Sequence, residues 1–285
     1  MRKTLGRITV FAVLFLTLGI GLFLVAVWTV DDAIHYAPVL TSGVLDTSKV
    51  SATSVYIFDV ETGKEIASKE KNRELPIASV TKLLTASLFY RDAPLEATTS
   101  IVWNDVTAEG ESGKLRYGQV YSYRELMYPL LLESSNDAGV TMLRVQPLLL
   151  DAMNAYVKER GLVHTILADT SGLSSKNIST AGELGTVMSH LYRDFPHIFD
   201  ITRLSQFIGT NTGWRNNNPL VQEEGYRGGK HGFTYEANRT DVAFFEEKIA
   251  SGQERMIGYV LLGSDNIKND IDILRAQVVQ NVYLE

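Results

Sequence analysis

In the stretch IASVTKLL, residues 77–84, a serine and a lysine stand three residues apart where an apolar run begins. If the run is a helix, Ser79 and Lys82 share a face of its first turn. The backbone N–H of Ser79 then points out of the helix end. A hydroxyl, a neighbouring amine and an unengaged backbone donor are the parts of an activated nucleophile with an oxyanion site. The bland reading makes Ser79 a helix cap and Lys82 a solvated charge. The pair alone does not separate the two. Ser68 and Lys71 repeat the spacing inside SKEKNRE, ahead of no apolar helix, and read as a solvated strand end.

Two further segments shift the balance. LLESSNDAG puts Ser134 and Asn136 at the start of another helical segment, and GGKHGFT puts Lys230 and Gly232 in a strand. Ser175 with Asn177 and Ser264 with Asn266 also fit S-x-N. The first pair reads as loop and the second follows the last strand, and neither falls between the other two motifs in chain order. The ordered set S-x-x-K, S-x-N, K-x-G resembles that of the penicillin-binding proteins and serine β-lactamases. The D-alanyl-D-alanine carboxypeptidases resemble the chain more closely, through ELPIASVTKLLTA, LLESSNDAG, ILADTSGLSSKNISTAGEL and NNNPL ahead of GGKHGFTYEA, over about residues 52–280.

That resemblance implies roles for the matched positions. Ser79 would attack a D-alanyl-D-alanine peptide and form an acyl-enzyme, with Lys82 accepting its proton. A free lysine has a pKa of about 10.4, so bringing it near neutrality costs roughly 4–5 kcal/mol. Burial and a second cation, Lys230, would supply that shift. Ser134 would relay the proton to the leaving D-alanine, and Asn136 would orient Lys82 and the substrate amide. The N–H groups of Ser79 and Phe233 would form the oxyanion hole, beside Gly232. Position 231 is histidine where the family has threonine or serine to hold the substrate carboxylate. His231 can donate a hydrogen bond there and, when protonated, add a charge. Arg255 resembles a family arginine near the carboxylate pocket, with a surface arginine as the equal reading. Peptidoglycan stem peptides would be the substrate, β-lactams covalent inhibitors, and no cofactor or metal is implied.

The elements that must position these residues follow from periodicity. Val55, Ile57 and Val60, then ETGK and EIASK, predict a strand, a tight turn and a second strand. Helical patterns cover about 79–90, 124–132, 136–147, 149–161 and 180–192, and a Pro/Gly/Asn-rich stretch, 211–229, interrupts the run. GGKHGFTYEA, TDVAFFEEKI and RMIGYVLLGS predict three successive strands, with ASGQE as a hairpin turn and a helix over 268–283 after them. The order suggests an α+β, three-layer α/β/α domain of the β-lactamase/transpeptidase-like type: an antiparallel sheet built from both ends and flanked by helices.

Residues 8–30 carry no charge across twenty-three positions. At about 1.5 Å per residue they span a hydrocarbon core of about 30 Å. Arg2, Lys3 and Arg7 precede the run, and Asp31 and Asp32 follow it, so the basic flank is expected in the cytoplasm. The expected organisation is a cytoplasmic tail (1–7), a transmembrane signal anchor (8–30), a linker (31–50) and an extracytoplasmic catalytic domain (51–285). A cleaved signal peptide is the competing reading; the run exceeds the usual length of about 7–15 residues for its apolar core, and Trp28 and Val30 stand near where small residues are needed.

The 285 residues include no cysteine, which removes disulfides and thiolate chemistry, and a net charge of −6 leaves no basic field for nucleic acid. G-x-S-x-G, H-E-x-x-H and a Gly-rich phosphate loop are missing, and the five histidines (35, 164, 190, 197 and 231) are scattered. Tyr123 and Tyr128 fit a core better than a ligand platform. Three alternatives stay open: a DD-endopeptidase on the same residues, a β-lactamase, for which no deacylating glutamate is evident, and a tethered peptide-binding module, supported by His231 alone.

Overall fold

The computed structural model describes residues 40–43, 45–110 and 113–284. Along the chain come β1 (Leu40–Ser42), β2 (Ser54–Asp59), β3 (Glu65–Lys69) and β4 (Leu75–Pro76), and a 3₁₀ turn, Ala78–Val80, leads into α1 (Thr81–Asp92). β5 (Thr98–Ser100) and β6 (Val120–Ser122) precede α2 (Tyr123–Leu132), α3 (Asn136–Val145) and α4 (Leu149–Glu159). After β7 (Ile178–Ser179) come α5 (Ala181–Asp194), α6 (Pro196–Thr202) and the hairpin β8 (Gln206–Ile208) with β9 (Gly213–Arg215). The chain closes with β10 (Tyr226–Thr234), β11 (Asn238–Lys248), β12 (Glu254–Ser264), α7 (Ile267–Asn281) and β13 (Val282–Leu284).

β2, β3, β10, β11 and β12 form one antiparallel sheet in the order β10-β11-β12-β2-β3. Its long strands are buried on both faces, so they are apolar almost throughout. Alternation splits them between two cores. Val242, Phe244, Val260 and Leu262 face α5 and the helical region, whereas Ala243, Phe245, Tyr259 and Leu261 face α7. The three-layer α/β/α expectation is met.

Caps set where the helices begin. Ser122 accepts from Glu125 N, Ser135 from Ala138 N, Thr180 from Glu183 N and Asn266 from Asn269 N, each satisfying an orphan donor of the first turn. Pro129 lies within α2, and its carbonyl accepts from Ser135 N at 2.9 Å, turning the chain into α3.

The expected linker is corrected at its end. Leu40–Ser42 pairs with Val282–Leu284, Asp46 N donates to Gln277 Oε1 at 2.6 Å, and Leu40 and Val50 are buried. Apolar residues spaced too irregularly to show a period are held there by strand pairing with the far end of the chain. The apolar run 8–30, the tail before it and residues 31–39 lie outside the described residues. Among the described residues no helix is long and apolar enough to cross a membrane.

Candidate active site

Ser79 occupies the 3₁₀ turn rather than the helix proper, and that turn is pinned on several sides. Thr240 Oγ1 on β11 donates to Ile77 O at 2.9 Å, and Ile77 N donates to Asn177 O at 2.9 Å. Ala78, buried, holds a left-handed φ of +47°. Such strain costs about 1–3 kcal/mol and persists only where the surroundings enforce it. Gly172 enforces it here: a Cβ at that position would lie 2.0 Å from Ala78 O.

The predicted serine–lysine pair is in contact. Lys82 Nζ donates to Ser79 Oγ and to Asn136 Oδ1, both at 2.9 Å, and to the backbone oxygen of Ser171 at 2.5 Å. Its side chain is fully buried. Asn136 Nδ2 in turn donates to Glu109 O at 2.6 Å, so both ends of the amide are engaged. Ser134 sits in the α2–α3 junction at φ +61°, 8% exposed, two residues before Asn136. Asp137 beside it is buried, and burial, then the Asp105 charge, pushes its carboxyl up to about 6.

β10 forms the opposite wall. A Cβ at Gly232 would come 2.6 Å from Ser79 N and 2.9 Å from Thr240 Oγ1, so glycine lets the strand lie directly against the serine amide. Phe233 follows, with its side chain 52% exposed. Lys230 is 1% exposed and its Nζ donates to His231 O at 2.7 Å. Burial pushes its ammonium down to about 7 against the opposing pull of Asp241.

One expectation is corrected, that for Arg255. At His231, burial, then Lys230 and Lys82, pushes the imidazole well below its usual range, which disfavours the charged form. Arg255 is not at the cleft. It starts β12, where its guanidinium binds Asp59 at 2.7–2.9 Å and Glu61 at 2.6 Å. Lys230 pairs with Val242 and Val242 with Val260. Val260 lies five residues along β12 from Arg255, about 17 Å at the usual strand rise. The buried carboxylate of Asp59 claims the arginine. Ser68 and Lys71 both bind Glu65, away from this cluster, as the solvated reading has it.

Sequence reasoning passed over several contributors. Asp169 accepts from Ser171 N, Gly172 N and Ser174 N and shapes the turn that presents Ser171 O to Lys82. Asn177 ties that turn to α1 through Thr81 Oγ1. Backbone oxygens leave no mark in residue types. The one available signal was an aspartate, Asp241, heading the apolar strand DVAFF.

Once Lys82 loses a proton, and the Ser79 hydroxyl donates to Nζ rather than accepting from it, the same contact lets Lys82 take the Ser79 proton as Oγ attacks a carbonyl seated between the 3₁₀ turn and β10. The arrangement is a nucleophile, a buried base and an N–H donor on one face of a cleft.

Residues 41–264 match the family model for D-alanyl-D-alanine carboxypeptidase. The D-alanyl-D-alanine endopeptidase of Pseudomonas aeruginosa is 28% identical over 229 residues, covering 73% of this chain and 72% of that protein. The D-alanyl-D-alanine carboxypeptidase DacB2 of Mycobacterium tuberculosis is 29% identical over 218 residues, 73% of each. Among solved structures, a D-alanyl-D-alanine carboxypeptidase from Mycobacterium tuberculosis superposes with a TM-score of 0.73 at 24% identity, covering 83% of this chain and 93% of that one. Penicillin-binding protein D2 of Listeria monocytogenes in its ampicillin-bound form gives 0.72 at 23% identity, covering 81% and 98%. These superpositions show the fold shared with penicillin-binding proteins.

Proposed function

The chain belongs to the D-alanyl-D-alanine carboxypeptidase family, and from that membership we propose that it removes the terminal D-alanine from peptidoglycan stem peptides through an acyl-enzyme on Ser79. It is a serine peptidase of the penicillin-binding class. One observation carries the assignment: Lys82, fully buried, bonds Ser79 Oγ and Asn136 Oδ1 at once.

In this reading Ser79 Oγ attacks the carbonyl of the penultimate D-alanine while Lys82 Nζ takes its proton. The developing oxyanion is held by the N–H groups of Ser79 and Phe233, each worth about 3 kcal/mol at such a site. Ser134 passes a proton to the departing D-alanine nitrogen, and water then cleaves the ester. The substrate lies along β10, which is an edge strand of the sheet and offers its free backbone groups to an extended peptide. Lys230 and His231 hold its terminal carboxylate. β-Lactams occupy the same place and acylate Ser79, in keeping with the ampicillin-bound relative.

The Pseudomonas aeruginosa relative is an endopeptidase, which favours a second reading in which the same residues cut a cross-link. A mass shift of the full-length protein after penicillin treatment, mapped to Ser79 and lost in Ser79→Ala, is the expected result. Free D-alanine released from a pentapeptide faster than a cross-linked dimer is cleaved would select the carboxypeptidase. The reverse order would select the endopeptidase. Neither adduct nor antibiotic hydrolysis by the folded protein would overturn both.

A further inference from the structure

The segment 101–119, which joins β5 to β6, is fastened at two places. At its base Gly118 N donates to Ile101 O at 2.9 Å and Ile101 N to Gln119 O at 2.8 Å. Its far end lies on the second motif: Glu109 O accepts from Asn136 Nδ2, and a Cβ at Gly113 would stand 2.4 Å from Ser135 Cβ. Two aromatic side chains near the base, Trp103 and Tyr117, are 66% and 67% exposed. Their rings meet edge to face, with centroids 6.2 Å apart and planes at 73°. Nothing in the reaction described above uses them.

Single exposed aromatics are ordinary on a protein surface; this pair is set apart by how firmly it is held. Trp103 opens a 3₁₀ turn, Trp103–Val106, whose Asp105 is fully buried. The Asp105 carboxylate accepts from Val102 N at 3.0 Å and from Arg144 Nε and Nη2, both at 2.8 Å. A side chain carried on such a support loses little freedom when a ligand settles on it. Aromatics that serve packing nearby are covered: Tyr121, just past the same segment, is 1% exposed, and Trp214 beside it is fully buried.

We propose that Trp103 and Tyr117 form a stacking platform for the glycan strand from which the stem peptide hangs, a second contact with the substrate away from Ser79. An amino-sugar ring has an apolar face of C–H groups, which covers an aromatic face while its hydroxyl and acetamido groups stay in water. Indole and phenol rings offer such faces with few rotatable bonds. The separation fits. An extended stem peptide puts about four residues, about 13 Å, between the scissile bond and its sugar. Tyr117 is four residues from Gly113 and Trp103 six from Glu109, so the chain keeps them within about 14 Å and about 22 Å of the contacts with Ser135 and Asn136. A lipid surface is the poorer match, because segment 101–119 carries three acids and two cations, whereas an anionic leaflet attracts an excess of cations. That the sugar belongs to a substrate rests on the DD-peptidase reading above; the platform itself does not.

The test has two readouts. The full-length protein, titrated by calorimetry with a hexamer of N-acetylglucosamine, is expected to bind it saturably. Trp103→Leu, apolar but without a flat face, should weaken that binding about five- to tenfold, and Trp103→Tyr should keep most of it. Both side chains are exposed, so the variants are expected to fold, which circular dichroism checks. No binding by the native protein, or binding unchanged in both Trp103→Leu and Tyr117→Leu, overturns the platform. So does a Trp103 share in quenching by brominated lipid in phosphatidylglycerol–phosphatidylethanolamine vesicles, read as the difference between native protein and Trp103→Phe, because it would put the pair in a membrane surface.

Release of D-alanine is then compared between glycan strands bearing uncross-linked pentapeptides and the free pentapeptide. Trp103→Leu should raise KM on the strands about five- to tenfold, with kcat there and both constants on the free peptide unchanged. No change on the strands sinks the role in substrate binding. Equal losses on both substrates sink it too, and make the pair a support for the loop that holds Asn136. A native protein that releases D-alanine from neither substrate and takes no penicillin adduct removes the DD-peptidase reading, while the hexamer titration still judges the platform.

Discussion

At Lys230 the fold holds a cation where a cation is least stable. Burial lowers its pKa from 10.5 to about 7. The unfolded chain keeps the proton up to about the ordinary lysine value, so it binds more protons than the native state between those limits. The penalty on folding is therefore full below pH 7 and fades as pH rises from about 7 toward 10.5. Replacing the cation by a side chain of similar size removes a desolvated charge but also a carboxylate anchor. Lys230→Met is expected to gain about 2 kcal/mol against denaturant at pH 6 and much less at pH 10. Its acylation by penicillin should fall by roughly two orders of magnitude. Loss of stability at pH 6 would mean that the ammonium is compensated by Asp241 after all.

The turn from Asp169 to Asn177 does for Lys82 what the helix alone does not. A lysine in the first turn of α1 can reach Ser79, but its third acceptor, Ser171 O, comes from this turn, held by the Asp169 carboxylate. Asp169→Ala should release the turn and the Ala78 strain it braces. Acylation should drop by about ten- to a hundredfold at a temperature where circular dichroism shows the variant folded. Unchanged acylation would make Ser171 O incidental to the base. Helices α1 to α5 and α7 and the three long strands were legible because local patterns fix them, period 3.6 in the helices and apolar runs in β10 to β12, whereas the seven-residue α6, Pro196–Thr202, is too short to show a period. The motif residues were legible because their chemistry requires those types. What escaped depends on distant partners. Arg255 was drawn away by Asp59, 196 positions earlier, residues 40–43 were recruited by β13, and the Ser171 carbonyl has no side-chain signature.

The described residues form a three-layer domain in which β1 is paired to β13. We propose that residues 8–30 anchor this domain to the outer face of the cytoplasmic membrane, since twenty-three uncharged positions follow three basic ones. The full chain expressed in a bacterium is expected to sediment with membranes and to leave them only in detergent, with its N-terminal peptide intact by mass spectrometry. A soluble product shortened by about thirty residues would make the segment a removed leader instead.

The free side of β10 has a further consequence, for solubility. A sheet edge with unpaired backbone groups is a template for fibre growth unless it is interrupted. Gly228 and Gly229, at φ +114° and +154°, break the ladder between Tyr226 and Gly229, and a Cβ at 229 would lie 2.1 Å from Val242 O. Only the stretch from Gly229 to Thr234 stays regular. The break at Gly228 and Gly229 therefore limits the edge that another copy could pair with to about six residues.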